Sequence, residues 1–425
     1  MGRYRPSHVR RSTRAAIPTV AAVLLAALCA GTAPDRAVAS ARQDLDPATV
    51  RKLDAAITKI MDEADVPGLN VGLWIPRRGT YEKSFGVADK KTGTPMKSDL
   101  YTRIGSITKT FTITGVLQLV DAGKVGLDDP ISRYVTGVPG GDSITLRQLA
   151  GMRSGLFNYT EDKAWLAQLR ADPHRTYTPR GLLDIAFRHP PDFAPGTKWQ
   201  YSNTNTVLLG MMIEKVSGQN LGDYLKEHVF TPLKLNDTSL PDDSAVPDPH
   251  AHGYTDFTPN GSVADATNWN PSWAWAAGGV ISDLDDLHTW APALADGTLL
   301  TKETQAERLK TRSVGVAGAS YGLGILDFNG WLGHNGELPG YESIAAQLPA
   351  EDATLVVLVN TDIDYKGKSL SSMIGNAVTS IVTPDHVWPV PPAQPSATPN
   401  PSTPSGPPTP STPNSGGGPG TASAR

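Results

Sequence analysis

The chain has 425 residues, of which 39% are hydrophobic and 19% are charged, and its formal net charge is −4. A single cysteine excludes an intrachain disulfide framework. An acidic balance without a lysine- and arginine-rich body is not typical of nucleic-acid-binding proteins, so we expect no nucleic-acid partner.

Residues 1–39 have the three parts of an export signal. Five arginines precede an apolar run at 20–30, and Ala37-Val38-Ala39 offers a small-residue cleavage site. The eleven-residue run is too short to cross a bilayer, which needs about 20 residues. We predict that this segment, with Cys29, is removed and that the protein is secreted without a membrane span; cell-wall association stays open.

Removal of residues 1–39 takes away six of 38 basic and one of 42 acidic residues, which leaves 32 against 41 and a net charge of −9. At the other end, residues 389–425 consist almost wholly of Pro, Ser, Thr, Gly, Ala and Asn. Such a segment buries too little apolar surface to offset its ordering entropy, which predicts a disordered tail. A spacer that reaches through a cell wall and an inert extension are alternative interpretations of it.

Residues 40–388 form a body above the usual size of one domain, so two lobes are expected. Helical periodicity and apolar runs predict helices at 50–64, 111–122, 145–151, 179–187, 206–216, 221–228 and 368–381, and strands at 70–74, 80–87, 343–348 and 354–360. Strands near both ends with helices between them predict an α+β fold in which the two ends build one sheet.

Ser106 and Lys109 lie three residues apart where an apolar helix begins. Positions i and i+3 of a helix share a face, so the amine can reach the hydroxyl oxygen. A serine hydroxyl needs a base to act as a nucleophile, and a lysine amine serves when burial and nearby cations lower its pKa. The spacing alone is common, and a capped helix with a surface lysine is its ordinary explanation.

Two further motifs, Tyr201-Ser202-Asn203 and His334-Asn335-Gly336, follow downstream. In this order, the three motifs resemble the active site of the penicillin-recognising serine hydrolases, namely DD-peptidases, class C β-lactamases and related esterases. Tyrosine in the second motif is similar to the class C and DD-carboxypeptidase branch, and histidine in the third to secreted DD-carboxypeptidases. The resemblance extends over about 46–382 through Arg103-Ile104-Gly105, Leu146-Arg147-Gln148-Leu149, Arg153-Ser154-Gly155-Leu156, Ala194-Pro195-Gly196 and Tyr321-Gly322-Leu323-Gly324.

The resemblance implies a β-lactamase/transpeptidase-like α+β fold, in which an antiparallel sheet flanked by helices lies beside a helical lobe. It implies Ser106 as nucleophile, Lys109 as its base, and Tyr201 as second base and proton donor to the leaving group. His334 would supply pH-dependent positive potential to Tyr201 and orient the substrate. No metal or organic cofactor is required.

The resemblance also implies where the substrate binds. The backbone N–H groups of Ser106 and Glu337 would form an oxyanion hole, to which a helix start adds positive potential. Asn203 would hold both the substrate amide and Lys109, and Trp273 would line the cleft. The substrate-binding residues predicted in this way are Asn203, Trp273, Asn335, Gly336 and Glu337.

Each of these residues also has an ordinary structural explanation. Tyr201 is a core tyrosine in that interpretation, Asn203 a helix cap, His334 a packing residue and Trp273 a buried indole. Two other residue sets resemble functional sites less closely. Ser143 with Asp285 and His288 mimics a GDS-type lipase but reads better as a helix start, and His250 with His252 lacks a third metal ligand.

The predicted reaction is acyl transfer through an ester on Ser106. A cell-wall peptide that ends in D-Ala-D-Ala is the first substrate, with penicillins as mimics, and the oligomeric state stays open. Glu337 and Asp327 stand where relatives place groups that hold a substrate carboxylate, and acidic side chains oppose anion binding. Alternatives are therefore an esterase, a D-aminopeptidase or a β-lactamase-like hydrolase, and, from another class, a non-catalytic peptidoglycan-binding protein.

Overall fold

The computed structural model describes residues 44–390. The predicted export signal at 1–39 lies outside the described residues, as does the predicted tail from residue 391 onward. Both therefore stay predictions, and so does the division of the chain at residues 40 and 388.

Helices and strands alternate in blocks along the described part of the chain. The helices are α1 (Pro47–Ala64), α2 (Thr108–Asp121), α3 (Leu146–Ala150), α4 (Lys163–Ala171), α5 (Pro179–Ala186), α6 (Asn203–Ser217), α7 (Leu221–Leu225), α8 (Thr231–Leu233), α9 (Leu284–Asp296), α10 (Lys302–Arg308) and α11 (Leu370–Val382). The strands are β1 (Gly68–Ile75), β2 (Gly79–Asp89), β3 (Thr94–Pro95), β4 (Thr102–Arg103), β5 (Tyr254–Thr255), β6 (Ala264–Asp265), β7 (Ile281–Ser282), β8 (Arg312–Ser313), β9 (Ala319–Tyr321), β10 (Leu326–Phe328), β11 (Trp331–Leu338), β12 (Tyr341–Leu348) and β13 (Ala353–Val359).

Nine of the strands within residues 44–390 form one antiparallel sheet in the order β3-β2-β1-β13-β12-β11-β10-β9-β8. The amino-terminal strand β1 pairs with β13 near the other end of the body, with Leu69 opposite Val359. Strands β12 and β13 pair directly with each other. The predictions of an α+β fold and of one sheet built from both ends are therefore confirmed.

Each face of the sheet is covered by helices. Leu53 and Ile57 of α1 and Ile374 and Val378 of α11 form one apolar cluster with side chains of β1, β12 and β13. The other face joins a larger cluster with α2, α6 and α9. This burial on both sides explains why β1, β12 and β13 have continuous buried runs without polar alternation.

Helix α2 lies inside the second cluster, and eleven of its 14 residues are buried. Its apolar surface on nearly all sides is the pattern expected of a central helix. Because a short 3-10 turn at Gly105–Ile107 leads directly into α2, this helix carries Ser106 and Lys109 to the centre of the molecule.

The sequence did not predict α4, α9, α10 or the short strands β8 to β10. Strands of two or three residues are too short to display a period, so only their partners define them. The prediction of one helix at 221–228 is correct only in its first part, because α7 ends at Leu225 and a π-helical turn follows at Lys226–Phe230. Within residues 44–390, the helices are too short or too polar to span a membrane.

Strand β10 pairs only with the first three residues of β11, Trp331 to Gly333. Beyond that point β11 has β12 on one side. The opposite edge of residues 334–338 is therefore left for the turn that carries Ser106.

The carboxylate of Glu342 joins the sheet to α11. It is 2% exposed and accepts hydrogen bonds from the Ser369 hydroxyl and from the backbone N–H groups of Leu370 and Ser371. These donors lie at the amino end of α11, where a carboxylate is favoured by the helix dipole.

Replacement of this carboxylate should destabilise the fold. We expect Glu342→Ala to lower the free energy of unfolding by about 2 kcal/mol, because buried donors at the start of α11 lose their acceptor. Glu63→Ala, which removes an exposed glutamate paired with Lys59 at 3.9 Å, should change it by less than about 0.5 kcal/mol. Equal effects of the two substitutions in urea denaturation would contradict this account of α11.

Candidate active site

Two glycines bring the turn of Ser106 against β11. Gly105 has a φ of +50°, and a Cβ there would lie 2.4 Å from the backbone nitrogen of Glu337 and 2.8 Å from its carbonyl oxygen. A Cβ on Gly336 would lie 2.0 Å from the carbonyl oxygen of Ile104. Only glycine permits so close an approach of two backbones. The polar backbone groups of Glu337 therefore face the residue that precedes Ser106.

The hydroxyl of Ser106 meets two polar side chains. The amine nitrogen of Lys109 lies 2.9 Å from Ser106 Oγ, and the hydroxyl of Tyr201 donates to the same oxygen at 2.7 Å. Lys109 also donates to the carbonyl oxygen of Ala277 at 2.6 Å, and its nitrogen lies 4.8 Å from the centre of the Tyr201 ring. The structure thus brings together Ser106, Lys109 and Tyr201, as the sequence predicted.

Burial sets the protonation of both partners. Lys109 is fully buried, and desolvation lowers the pKa of its amine well below the usual value. Desolvation raises the pKa of the Tyr201 phenol; the hydrogen bond with Ser106 lowers it and the charge of Glu337 raises it further. Lys109 is therefore suited to accept a proton and Tyr201 to donate one. The raised pKa favours the protonated phenol, which suits the predicted role of proton donor, and both roles predicted for Tyr201 stay predictions.

His334 lies beside this group but does not carry the charge that the sequence suggested. Burial, with the nearby Lys109, lowers the pKa of His334 to about 3, so the imidazole is neutral at ordinary pH. Its Nδ1 donates to the carbonyl oxygen of Asn335 at 2.5 Å, and Nε2 lies 3.4 Å from the Tyr321 hydroxyl. The ring centres of His334 and Tyr201 are 6.3 Å apart. Its contribution to the site is a neutral, oriented dipole.

Asn203 is close to the site but has different partners from those predicted. Its side-chain nitrogen donates to the Thr160 hydroxyl at 3.1 Å, and its backbone N–H donates to the side chain of Asn158 at 3.0 Å. Within residues 44–390, no hydrogen bond joins it to Lys109. Asn203 is also the first residue of α6 rather than its cap, which is Ser202. The half-buried amide remains able to contact a substrate.

Side chains alternate along β11, so His334 and Gly336 project from one face and Asn335 and Glu337 from the other. Asn335 is half-buried opposite Ile344, and Glu337 is exposed opposite Glu342. Partial desolvation, followed by the charges of Glu342, Asp362 and Asp364, raises the pKa of Glu337. Glu337 thus presents its backbone to Ser106 and its side chain to an acidic group.

Trp273 lies at the edge of the candidate site. Its side chain is half-buried, its ring is 5.9 Å from that of Trp165, and its carbonyl oxygen accepts from the Tyr159 hydroxyl at 2.6 Å. It lines a pocket that Leu338 also lines. The core interpretation of this tryptophan is supported by its packing, and its place in the substrate cleft stays a prediction.

Sequence reasoning missed several supporting residues. Tyr321 belongs to the motif Tyr321-Gly322-Leu323-Gly324, but the sequence did not predict its contact with His334. Asn158, Tyr159 and Ala277 belong to no sequence motif, because each acts through a single backbone or side-chain contact. Only the fold brings such residues to the site.

The two other residue sets remain apart from this site. Ser143 is exposed in a turn, and Thr145 caps the helix α3 that follows it. His288, which lies in α9, stacks on Trp74 of β1. The rings of His250 and His252 are 5.3 Å apart, and among residues 44–390 no group of three potential metal ligands occurs.

Comparison with known proteins gives one consistent result. Residues 53–371 match the model of the Beta-lactamase family. A D-stereospecific amidohydrolase from Streptomyces sp. has a similar structure, with a TM-score of 0.70 and 34% identity over 79% of this chain and 98% of that one.

Two curated relatives are more distant. A penicillin-binding protein of Bacillus subtilis is 27% identical over 302 residues, which cover 67% of this chain and 66% of that protein. A D-aminopeptidase of Brucella anthropi is 27% identical over 351 residues, which cover 79% of this chain and 65% of that protein. The chain thus spans just under two thirds of the length of each relative. Because the family model matches residues 53–371, the chain belongs to the Beta-lactamase family, whose members include serine hydrolases.

Proposed function

We propose that the protein is a serine amidohydrolase that cleaves amides of D-amino acids with a free α-amino group. One observation carries this choice: desolvation lowers the pKa of both Lys109 and His334, which leaves little positive charge beside the Ser106 hydroxyl that Lys109 and Tyr201 contact. A site of this charge favours a cationic substrate over an anionic one. The similar amidohydrolase from Streptomyces and the D-aminopeptidase support the D configuration.

The first chemical step forms an ester. Ser106 Oγ attacks the amide carbonyl carbon as its proton passes to the neutral amine of Lys109, 2.9 Å away. The carbonyl oxygen becomes an oxyanion, which the N–H groups of Ser106 and Glu337 would stabilise. The face of the Tyr201 ring, 4.8 Å from the amine, stabilises the ammonium that forms.

The leaving amine needs a proton before the carbon–nitrogen bond breaks. The Tyr201 hydroxyl, 2.7 Å from Ser106 Oγ, supplies it and is reprotonated from the ammonium of Lys109. Water then attacks the ester as Lys109 takes its proton, and Lys109 passes that proton to Ser106 Oγ as the carbonyl–Oγ bond breaks. The products are the free amine and the D-amino acid, and the serine is restored.

The acidic surroundings distinguish this function from a DD-carboxypeptidase. Four carboxyl groups have raised pKa values, namely those of Glu337, Glu342, Asp362 and Asp364. Desolvation is the first cause for all four, and the pKa of Asp362 reaches about 8. Repulsion by other carboxylates raises the pKa further for all of them except Glu342. A substrate carbonyl at the N–H of Glu337 would have its α-amino group at the edge of β11, which the exposed Glu337 side chain would have to reach from the opposite face of the strand. An ammonium there relieves the repulsion, whereas the carboxylate of a D-Ala-D-Ala peptide or a penicillin would add to it.

Hydrolysis of D-Ala-D-Ala peptides remains the second candidate, since the penicillin-binding relative supports it. Both candidates use the same acyl-enzyme and differ in the charge of the substrate. The proposal also includes secretion and contact with peptidoglycan. These two parts rest only on the sequences of residues 1–39 and 389–425.

Ser106→Ala should abolish turnover without unfolding the protein. We expect kcat/KM for D-alanine p-nitroanilide to fall by about 10⁴-fold or more, with an unchanged melting temperature, because the nucleophile is lost from a solvent-facing site. Ser143→Ala is the matched control and should retain full activity, as this serine is exposed in a turn. Hydrolysis by Ser106→Ala at the wild-type rate would contradict both candidate functions.

Glu337→Gln should separate substrates by charge. We expect KM for D-alanine p-nitroanilide to rise about tenfold, while N-acetyl-D-alanine p-nitroanilide, which lacks the ammonium, changes less than about twofold. The exposed Glu303→Gln should change neither. If the wild type instead prefers N-acylated D-Ala-D-Ala peptides and forms a lasting benzylpenicillin adduct, the DD-carboxypeptidase interpretation replaces this proposal.

The loss of activity at low pH should follow the protonation of the Lys109 amine. Its pKa lies well below the usual value, so the neutral base is present at neutral pH and is lost only as the pH falls through that lowered value. Lys109→Arg keeps a charged group at every accessible pH, and kcat should fall about 10²- to 10⁴-fold. The exposed Lys124→Arg serves as control. A wild-type kcat that keeps rising up to pH 10 would show that Lys109 is not the base.

A further inference from the structure

The amine of the proposed base is held by one backbone carbonyl. Within residues 44–390, the Lys109 nitrogen has hydrogen-bond contacts with two oxygens, Ser106 Oγ at 2.9 Å and the carbonyl oxygen of Ala277 at 2.6 Å. A neutral amine has two N–H groups and one lone pair, whereas a carbonyl oxygen only accepts. The Ala277 carbonyl therefore fixes one N–H, and its position governs whether the lone pair faces the serine proton.

This carbonyl belongs to a short 3-10 turn, Trp275–Ala277, which packs against α2. Two buried threonines of α2 hold the same stretch of chain. Thr112 Oγ1 donates to the carbonyl oxygen of Ala276 at 2.8 Å. Thr108 Oγ1 accepts from the N–H of Val280 at 3.0 Å. The turn is thus joined to the helix of the base on both sides of the carbonyl that holds the amine.

The first residue of the turn, Trp275, has an unusual backbone conformation. Its φ is +35°, in the left-handed region that glycine adopts readily but a residue with a bulky side chain rarely does. Such a conformation costs free energy and persists only where the surroundings fix it, and residues of this kind cluster at functional sites. The contacts that hold Trp275 therefore indicate what the strained turn is for.

Two sets of contacts hold Trp275. Its carbonyl oxygen accepts from the N–H groups of Gly278 at 3.1 Å and Gly279 at 2.8 Å. Its ring lies over Gly210 of α6, where a Cβ would come within 2.9 Å of Cζ3 and 3.0 Å of Cη2. Helix α6 begins two residues after Tyr201. The turn is thus anchored on the helix that follows the proposed proton donor, and its last carbonyl reaches the proposed base.

We propose that Trp275 is a positioning residue, whose ring on α6 holds the strained turn so that its last carbonyl directs the lone pair of Lys109 to Ser106. The inference rests on the proposed function for the role of Lys109 as base, but not for the substrate. With one N–H of Lys109 on the carbonyl, hydrogen bonds run in one direction, from Tyr201 to Ser106 and from Ser106 to Lys109. A relaxed turn would release the amine, which could then donate to the serine instead of accepting from it.

The test measures the rate at which a fluorophosphonate labels Ser106. In this reaction Ser106 Oγ attacks phosphorus and displaces fluoride while its proton passes to Lys109, so no particular acyl group is needed. We expect Trp275→Ala to lower the rate constant about 10- to 100-fold at neutral pH, because small misplacements of reacting groups have effects of this size.

The pH dependence of labelling separates positioning from a structural role. Without the carbonyl that stabilises its charged form, Lys109 should have a lower pKa. The loss of rate at low pH should therefore move down by about one pH unit in Trp275→Ala. A purely structural role of Trp275 would reduce the amount of active protein and leave the pH midpoint unchanged.

Gly210→Ala tests the same contact from α6. Alanine suits a helix interior better than glycine, but its Cβ would press on the Trp275 ring and on the Cβ of Ala276, which would be 2.7 Å away. This variant should reproduce both effects at a smaller size. Trp275→Phe, which keeps an aromatic ring on α6, should retain more of the rate than Trp275→Ala. If Trp275→Ala fails to fold, these two variants decide the question.

Two variants serve as matched controls. Trp269→Ala removes another half-buried tryptophan of the same apolar cluster, whose φ is not positive. Gly375→Ala places a Cβ 2.9 Å from Ile344 Cδ1 at the other face of the sheet. Both should keep the rate constant within about twofold and the pH midpoint unchanged. Equal effects in the controls, or an unmoved midpoint in folded variants of Trp275 and Gly210, would overturn the proposal.

A double substitution tests whether Trp275 acts through Lys109. Added to Lys109→Arg, Trp275→Ala should lower the labelling rate by less than about threefold, because the amine that it positions is already absent. A further loss of about tenfold or more would show that Trp275 acts independently of the base, which contradicts the proposal.

The choice of probe also separates this inference from the proposed function. If D-aminoacyl anilides are inert but Ser106 is labelled with the expected dependence on Trp275, the amidohydrolase proposal fails and the positioning role stands. If the anilides are cleaved and the Trp275 variants are labelled like the wild type, the reverse holds. A wild type whose Ser106 reacts with neither compound would overturn both.

Discussion

The desolvation of Lys109 is the constraint on which the rest of the site depends. A lysine exposed to solvent is protonated at neutral pH and has no lone pair for the Ser106 proton. The fold removes this side chain from water by placing it on a helix that is buried on nearly all sides, and the carbonyl of Ala277 fixes its amine. The central helix is thus part of the chemistry as well as of the core.

The same desolvation governs the neighbouring groups. Burial lowers the pKa of His334 and raises that of Tyr201, so in each case the uncharged form is favoured. A site with little positive charge holds a substrate carboxylate poorly.

The sequence predicted those parts of the structure that a local pattern can encode. The apolar strands near both ends led to the correct fold, and the i to i+3 spacing predicted the contact between Ser106 and Lys109. Charge was predicted less well. A positive His334 is a reasonable expectation for a histidine near the surface, but burial is a property of the assembled core. The partner of Asn203 was also wrong, because Thr160 and Asn158 reach it only through the packing of α6.

The free edge of β11 and the turn of Ser106 are separated by about 230 residues along the chain. The turn of Ser106 therefore leaves the ribosome long before the strand that completes its surroundings, and β13, which pairs with the neighbouring strand β12, comes later still. Contacts of such long sequence separation form late in folding. The contacts between Ser106 and the strand that follows it so late in the chain should thus be complete only when almost the whole body has folded.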